Sequence, residues 1–332
     1  VIRYIIRRLL ISIPILLIGS FLSYVLVASA GNPLAEMRAR PGVTEQQVQE
    51  LAAELGLDKP VIGRYWDWLT GFVQGDWGTS VALGQARAEV FPAVTDALWV
   101  TGRLVIGAEL LALVLGVSVG VLAAVRQYSI FDYLATSTAF LMFSMPIFCV
   151  AVIIKSYGIE FNNVLQSMGI DRWLTTAGPP SEGFTGSVGD VVFKYTGTFL
   201  LPTLSLMLIS FAAYSRFERA SMLEIMHSDF VRTARAKGIS NGRVIFRHAF
   251  RNALIPVATL FSLNFGAVLS GAIITERVFG WFGMGSLLVD SVRTFDPNML
   301  MGWLAVTATL VVLFNLVADI VYGFLDPRIR LG

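Results

Sequence analysis

The sequence predicts an all-α integral membrane protein with six transmembrane helices and a small subdomain between the first two. Three observations predict it. Of 332 residues, 55% are hydrophobic and only 14% charged, a balance far more apolar than that of a soluble domain. Six separate stretches are apolar over about the 20 residues that a bilayer core of about 30 Å asks of a helix. Between the fourth and fifth lies a dense basic stretch, with Arg232, Arg235, Lys237, Arg243, Arg247 and Arg251 against the one acid Asp229.

The expected spans run from about Leu9 to Ala30, Leu104 to Val125, Tyr133 to Ile154, Tyr195 to Ser215, Ala253 to Thr275 and Pro297 to Ala318. Arg3, Arg7 and Arg8 before the first imitate a secretory signal, with Ala28-Ser29-Ala30 in the place of a cleavage site. The apolar stretch exceeds the roughly 7–15 residues of a signal core, so it reads as an uncleaved span. Glu109 is the one charge in the second span, and Asp319 adjoins the sixth. Both are expected near a membrane surface, in structural or interfacial roles rather than in ion coupling. Pro14, Pro146, Pro202 and Pro256 lie in or at the ends of spans, where neighbouring helices satisfy the carbonyls that a proline frees. Gly116 and Gly120 form a GxxxG pair, which permits close helix approach.

Orientation follows from the basic residues. The N-terminal Arg3, Arg7 and Arg8, the turn at Arg126, the dense cluster and the C-terminal Arg328 and Arg330 all fall on one side of a six-span chain. Positive charge marks that side as cytoplasmic. The chain then divides into residues 1–30 (tail and first span), an external subdomain 31–97, a core 98–323 and a cytoplasmic tail 324–332. The core contains an external loop at 155–194 and a cytoplasmic loop at 216–252, the latter built as helix, Gly238, helix. In the external subdomain, Thr44 and Gln47 form a capping-box pattern ahead of Val48, Leu51, Ala52 and Leu55, with Gly56 to end the helix. Tyr65, Trp66, Trp68 and Trp77 read either as interfacial aromatics or as a contact surface. A Pro/Gly/Ser-rich stretch at 178–189 is expected to be irregular.

Several chemistries are excluded. The single cysteine, Cys149, sits in an apolar run and reads as a small buried hydrophobe. His227 and His248 are the two histidines, and no spacing of His, Cys or carboxylates resembles a metal site. A phosphate-cradling loop needs lysine directly after glycine, and none of Lys59, Lys155, Lys194 and Lys237 follows one. Any ATPase must be another polypeptide. Thr203, Ser205 and Ser210 in the fourth span, with Ser262, Asn264 and Ser270 in the fifth, are candidate pore-lining residues, or else bond neighbouring backbones and helices.

With these residues in view, the chain resembles the permease subunits of bacterial ABC importers, and more narrowly the B-type permease of the oligopeptide/dipeptide group. Arg232-Thr233-Ala234 stands where the superfamily motif has Glu-Ala-Ala, and Gly238 takes the place of its glycine. The missing Glu puts in doubt only contacts specific to that carboxylate. Further matches are Leu57-Asp58-Lys59-Pro60, Gly75-Asp76-Trp77-Gly78-Thr79-Ser80, the stretch from Arg216 to Glu224, Glu276, Gly283-Met284-Gly285, Asn315-Leu316, Asp319 and Leu325 to Arg330. Phe282 stands where the family often has proline, and residues 155–194 carry none of the family motifs that can be placed and read as an elaborated external loop.

The resemblance implies a six-helix importer permease that is not itself an enzyme. It implies a second related permease, two cytoplasmic ATPase subunits carrying ATP and Mg, and an external peptide-binding protein, with no cofactor on this chain and no nucleic acid partner. It implies that Arg232, Thr233, Ala234, Arg235 and Gly238 form the ATPase-coupling loop. The expected setting is the bacterial inner membrane, with both termini cytoplasmic. Cargo within the group extends to dipeptides, oligopeptides, glutathione, haem and nickel. Two rivals are weighed: an ion-coupled secondary transporter, which would leave the basic loop unexplained and shows no internal repeat, and a nucleic-acid reader, whose basic residues topology already explains.

Overall fold

The computed structural model describes residues 2–30, 34, 38, 42–54, 56–81, 88–178 and 186–325. Among them every regular element is helical, apart from an isolated bridge between Thr79 and Glu89. Helix α1 covers Ile2–Ala30, α2 Glu45–Glu54, α3 Val61–Gln74, α4 Val90–Val125, α5 Ile130–Ser144 and α6 Ile147–Ser167. Then come α7 (Val188–Met226), α8 (Asp229–Ala236), α9 (Asn241–Leu269), α10 (Ile273–Phe279), α11 (Met284–Arg293) and α12 (Pro297–Leu325). Among the described residues the helices long and apolar enough to cross a membrane number 6: Ile5–Ser29 within α1, then α4, α6, α7, α9, and Pro297–Val321 within α12.

The core forms where α4 lies along α7. A Cβ at Gly120 would stand 2.6 Å from the Ser215 carbonyl and 2.8 Å from Glu218 Cβ, and one at Gly116 would stand 2.8 Å from Tyr214 Cβ. The GxxxG pair thus brings the backbones of α4 and α7 into close approach, which residues without a side chain allow. Leu104, Val105, Ala108, Tyr214 and Met222 are buried beside it, and Val257 and Phe265 of α9 complete the cluster.

At one end of the bundle the short helix α3 leans on α1, with α2 ahead of it in the chain. Thr44 N donates to Gln47 Oε1 at 3.0 Å and Gln47 N to Thr44 Oγ1 at 3.4 Å, so the expected capping box forms, and Gly56 follows at φ +58. Leu55 lies outside the described residues, as do 179–185 and the basic tail with Arg328 and Arg330. Tyr65 anchors α3 by donating to the Leu17 carbonyl at 3.2 Å and stacking edge-on against Phe21 at 5.1 Å. The Gly75–Ser80 turn is stapled to the start of α12. Ser80 Oγ donates to Asp296 Oδ2 at 2.5 Å, Asn298 Nδ2 to the Thr79 carbonyl at 2.8 Å, and Asp296 Oδ1 accepts from Met299 N at 3.1 Å.

Several spans differ from expectation, and α7 extends the expected Tyr195–Ser215 at both ends, to Val188 and Met226. The apolar run Tyr133–Ile154 is not one helix: α5 ends at Ser144, Met145 is extended (φ −79, ψ 132), and Pro146 caps the start of α6. Proline lacks an N–H and pushes its predecessor out of the helical region, which breaks the run. The helix then continues to Ser167, through residues that composition assigned to a loop. Their polar groups are satisfied: Lys155 Nζ donates to the Val278 carbonyl at 2.5 Å, and Asn162 bonds both N–H and C=O of Leu174 at 3.1 and 2.7 Å. The loop expected at 155–194 is therefore helical over 155–167 and 188–194. The fifth span starts earlier, at Asn241, and stops at Leu269 rather than Thr275. Gly271 there, at φ +148, faces Gly285, with 2.6 Å from its notional Cβ to Gly285 Cα. Glu109 lies midway along α4, not near its end, because that helix begins at Val90 rather than near Leu104.

Candidate functional site

Helix α8 has two faces. Val231 and Ala234 are buried against the bundle, whereas Phe230, Arg232, Thr233, Arg235 and Lys237 are exposed. The chain reverses through Gly238 at φ +75, with Gly238 N donating to the Arg235 carbonyl at 2.9 Å and Ile239 N to that of Ala234 at 3.3 Å. This bond pair closes a helix around a left-handed residue. The chain re-enters as α9, whose turn Val244–Ala249 is wound as a π-helix. Val244, Ile245 and Ala249 are buried there, while Arg243, Phe246, Arg247 and Arg251 are exposed. The result is a wedge with an apolar seam toward the bundle and a basic outer face.

Of the expected coupling residues, Arg232, Thr233, Arg235 and Gly238 are on the outer face. Ala234 is not: three residues after Val231 it shares the inner face and is 7% exposed. Sequence reading passed over Phe230 and Phe246, 45% and 68% exposed. The signal was one aromatic amid polar and charged neighbours on each arm of the loop.

The wedge hangs from the end of α7. Arg219 donates from Nε and Nη2 to the two oxygens of Asp132 at 2.6 and 2.8 Å, fastening the 126–129 turn to α7. Tyr128 N and Thr136 Oγ1 also donate to that carboxylate, at 3.0 and 3.2 Å. The Arg219 hydrogen bonds hold the Asp132 carboxyl well below its ordinary range, at about 2. Arg216 lies over the rings of Phe140 and Phe143, at 4.2 and 4.6 Å. Ser221 Oγ donates to the Ala253 carbonyl at 2.9 Å, tying α7 to α9. Arg8 Nε meets Asp319 Oδ2 at 3.1 Å, joining the first turns of α1 to the far part of α12.

Deeper in the bundle, Glu109 is fully buried and fully bonded. Ser210 Oγ donates to its Oε1 and Tyr214 OH to its Oε2, both at 2.6 Å, and Asn264 Nδ2 approaches Oε1 at 3.3 Å. Three helices, α4, α7 and α9, meet at this carboxylate. Ser210 and Asn264, read from sequence as candidate pore lining, are engaged here. Ser205, Ser262 and Ser270 donate to the carbonyls of Leu201, Ala258 and Gly266, each at 3.0 Å. Ser205, Ser210 and Ser262 are buried within the chain, and Asn264 and Ser270 are half-buried. Thr203, also half-buried, lines a groove of about 480 Å³ with Arg103, Tyr195 and Phe199.

A second buried carboxylate organises the α10–α11 turn. Thr101 Oγ1 donates to Glu276 Oε1 at 2.7 Å and accepts from Met284 N at 2.8 Å, while Ser286 N donates to Glu276 Oε2 at 2.9 Å. Gly283 is required by this packing, since a Cβ would lie 2.2 Å from Thr101 Oγ1.

The sequence and the fold have counterparts in known proteins. The family described as binding-protein-dependent transport system inner membrane component matches residues 116–331, and its N-terminal companion matches residues 1–94. The oligopeptide transport system permease protein OppB of Mycobacterium tuberculosis is 36% identical over 331 residues, 99% of each chain. The dipeptide transport system permease protein DppB of Escherichia coli K12 is 35% identical over 338 aligned positions, covering 99% of this chain and 98% of its own. The oligopeptide transport system permease protein AppB of Bacillus subtilis is 36% identical over 98% of this chain and 99% of its own. Among solved structures, the inward-facing MetNI methionine ABC transporter shares the fold, at a TM-score of 0.52 and 15% identity over 71% of this chain and 97% of that one. The chain belongs to the binding-protein-dependent transport system inner membrane component family.

Proposed function

We propose that this chain is the pore-forming permease subunit of an ATP-driven peptide importer in the bacterial inner membrane. The observation that carries the reading is the wedge of α8 and the start of α9. It is rigidly buttressed on one face, basic on the other, and continuous with α9 and nearly so with α7. Such an element transmits a push from a docked partner into two spans. The peptide-transport names of relatives matched over nearly the whole chain supply the cargo class.

In this reading two ATPase subunits dock on the wedge and carry the ATP and Mg, and this chain is not catalytic. A second related permease completes the passage, and an external binding protein delivers cargo. Both termini and the wedge face the cytoplasm. In support, α4 ends at the turn that Asp132 ties to the α8 end of α7. The passage is lined from α4, α7 and α9, with Thr203 and Ser270 less enclosed than the buried serines.

The test is reconstitution of the full assembly in proteoliposomes. ATP-dependent uptake of a labelled tripeptide that requires the binding protein is expected. Uptake by this chain alone under an ion gradient would overturn the reading, and nickel, haem or glutathione recovered from the purified binding protein would overturn the cargo. For orientation, cysteines are placed at Asn241 and Asp58, both exposed, in a Cys149→Ser background. A membrane-impermeant reagent should label intact spheroplasts at 58 and not at 241; the reverse pattern refutes the topology.

A further inference from the structure

On the outer side, in the orientation just proposed, a cleft of about 310 Å³ lies between the end of α1, helix α3, the Gly75–Gly78 turn and the start of α12. Its volume falls at the low end of small-molecule sites, about 300–1,000 Å³. Tyr24, Trp68 and Trp77 give it aromatic walls. Four charged residues line it, and two neutralise each other: Lys59 Nζ pairs with Asp67 Oδ2 at 2.6 Å. The other two are unmated among the described residues. Arg64 makes no side-chain hydrogen bond or ion pair, and its Nε is buried without a partner. Asp76 uses one oxygen to accept from Gly78 N at 3.1 Å and has no cation beside it.

A buried guanidinium N–H left without an acceptor is costly, and its planar fork suits a carboxylate or phosphate. An anion of that kind is the natural complement of Arg64, and an ammonium that of Asp76. The chain folds back after α3, and Asp76 N donates to the Gly71 carbonyl at 2.9 Å. Gly71 follows Arg64 by two helical turns, which sets the two charged residues roughly 10 Å apart along α3 at about 1.5 Å per residue. An extended chain covers roughly 3.5 Å per residue. Three or four residues therefore reach from one charge to the other.

The opposite face of α3 decides between a water-borne and a bilayer-borne ligand. Ile62, Trp66 and Val73 form a stripe at helical spacing, and they are 61%, 55% and 76% exposed. At about 100° per residue, Arg64, Asp67 and Gly71 centre on the other side of the helix. An outward apolar stripe on a helix beside a span lies on the membrane surface. The cleft is then turned away from the lipid.

We propose that this cleft is a subsite for a free peptide of three or four residues, with its terminal carboxylate on Arg64 and its terminal ammonium near Asp76. Termini are common to every peptide whatever its side chains, so such a subsite holds cargo without reading its sequence. The proposal rests on the peptide-import reading above.

The experiment uses the assembled membrane complex in phosphatidylcholine nanodiscs, without the binding protein, and follows Ala-Ala-Phe by saturation-transfer NMR. Wild type should bind the free tripeptide about tenfold more tightly than its C-terminal amide. Arg64→Gln should remove that preference and Arg64→Lys retain part of it. Asp76→Asn should weaken the free peptide but not its N-acetyl form. Equal binding of acid and amide by wild type, which needs no variant to fold, overturns the proposal, as does an unchanged preference in Arg64→Gln. Displacement of the tripeptide by phosphatidylglycerol in the disc assigns Arg64 to a lipid phosphate and also overturns it. ATP-driven tripeptide uptake is measured in parallel. Uptake without Arg64-dependent binding defeats the subsite and leaves import standing, whereas Arg64-dependent binding without uptake defeats the import reading.

Discussion

Tyr214 donates a hydrogen bond to Glu109 at 2.6 Å across the contact between α7 and α4, and neither residue is exposed. An unpaired carboxylate at this depth is costly, and the three donors around Glu109 offset that cost. Tyr214→Phe removes one, and the expected loss is about 1–3 kcal/mol. Glu109→Ala leaves Tyr214, Ser210 and Asn264 without their shared acceptor and should cost at least as much. The double variant should fall short of the sum, because both changes break one bond. Thermal unfolding of the purified assembly in nanodiscs measures all three, and strict additivity would show that the bond contributes nothing.

The glycine pair makes a steric prediction. Gly120→Leu places carbon where the Ser215 carbonyl and Glu218 already stand, within 3 Å of both. The helices must separate, so the variant should fail to accumulate as folded protein. Gly107→Leu, on the same helix but with open space at its notional Cβ, should accumulate normally. Comparable yields of the two by in-membrane immunoblot and size-exclusion chromatography would remove Gly120 from the packing role.

The Asp132–Arg219 pair gives a pH prediction. The Asp132 carboxyl is depressed to about 2, so its contribution is present above the ordinary carboxylate value and is lost only as pH falls toward 2. Stability owed to this pair should be flat from about pH 5 to 8. Asp132→Asn should lower the melting temperature by the same amount across that window, at a cost of about 1–3 kcal/mol. A difference from wild type that varies between pH 5 and 8 would mean that another group titrates with the pair.

How much of this was legible in the sequence depended on which forces set each feature. The six-helix class, the basic wedge and the Thr44–Gln47 cap followed from composition, charge and local spacing, which act over a few residues. The third span failed because hydropathy averaged across Pro146, and because Lys155 and Asn162 find backbone partners that only tertiary packing supplies. Ser210 and Asn264 carry no mark in sequence that separates a residue facing a passage from one bonded to a distant Glu109. Their partners lie 101 and 155 positions away. The Gly116–Gly120 spacing was visible, but its weight came only with α7 lying on it.

The last prediction concerns Gly238. A side chain there would meet nothing within 4 Å, so no clash with neighbours arises, yet the backbone stands at φ +75. The penalty is therefore conformational, about 1–2 kcal/mol for an ordinary residue and more for a β-branched one. Asn tolerates the left-handed region best, Ala less well and Val least. Coupling should fail in that order while the fold survives, because Val231, Val244 and Ala249 still bury the inner seam. The measurement is binding-protein-stimulated ATP hydrolysis and peptide uptake by the reconstituted assembly. Gly238→Asn should stay within about twofold of wild type, and Gly238→Val should lose both activities with assembly retained on size-exclusion chromatography. Peptide binding by the separate external protein should be unchanged. Wild-type uptake in the valine variant would mean that the turn only connects two helices and transmits nothing.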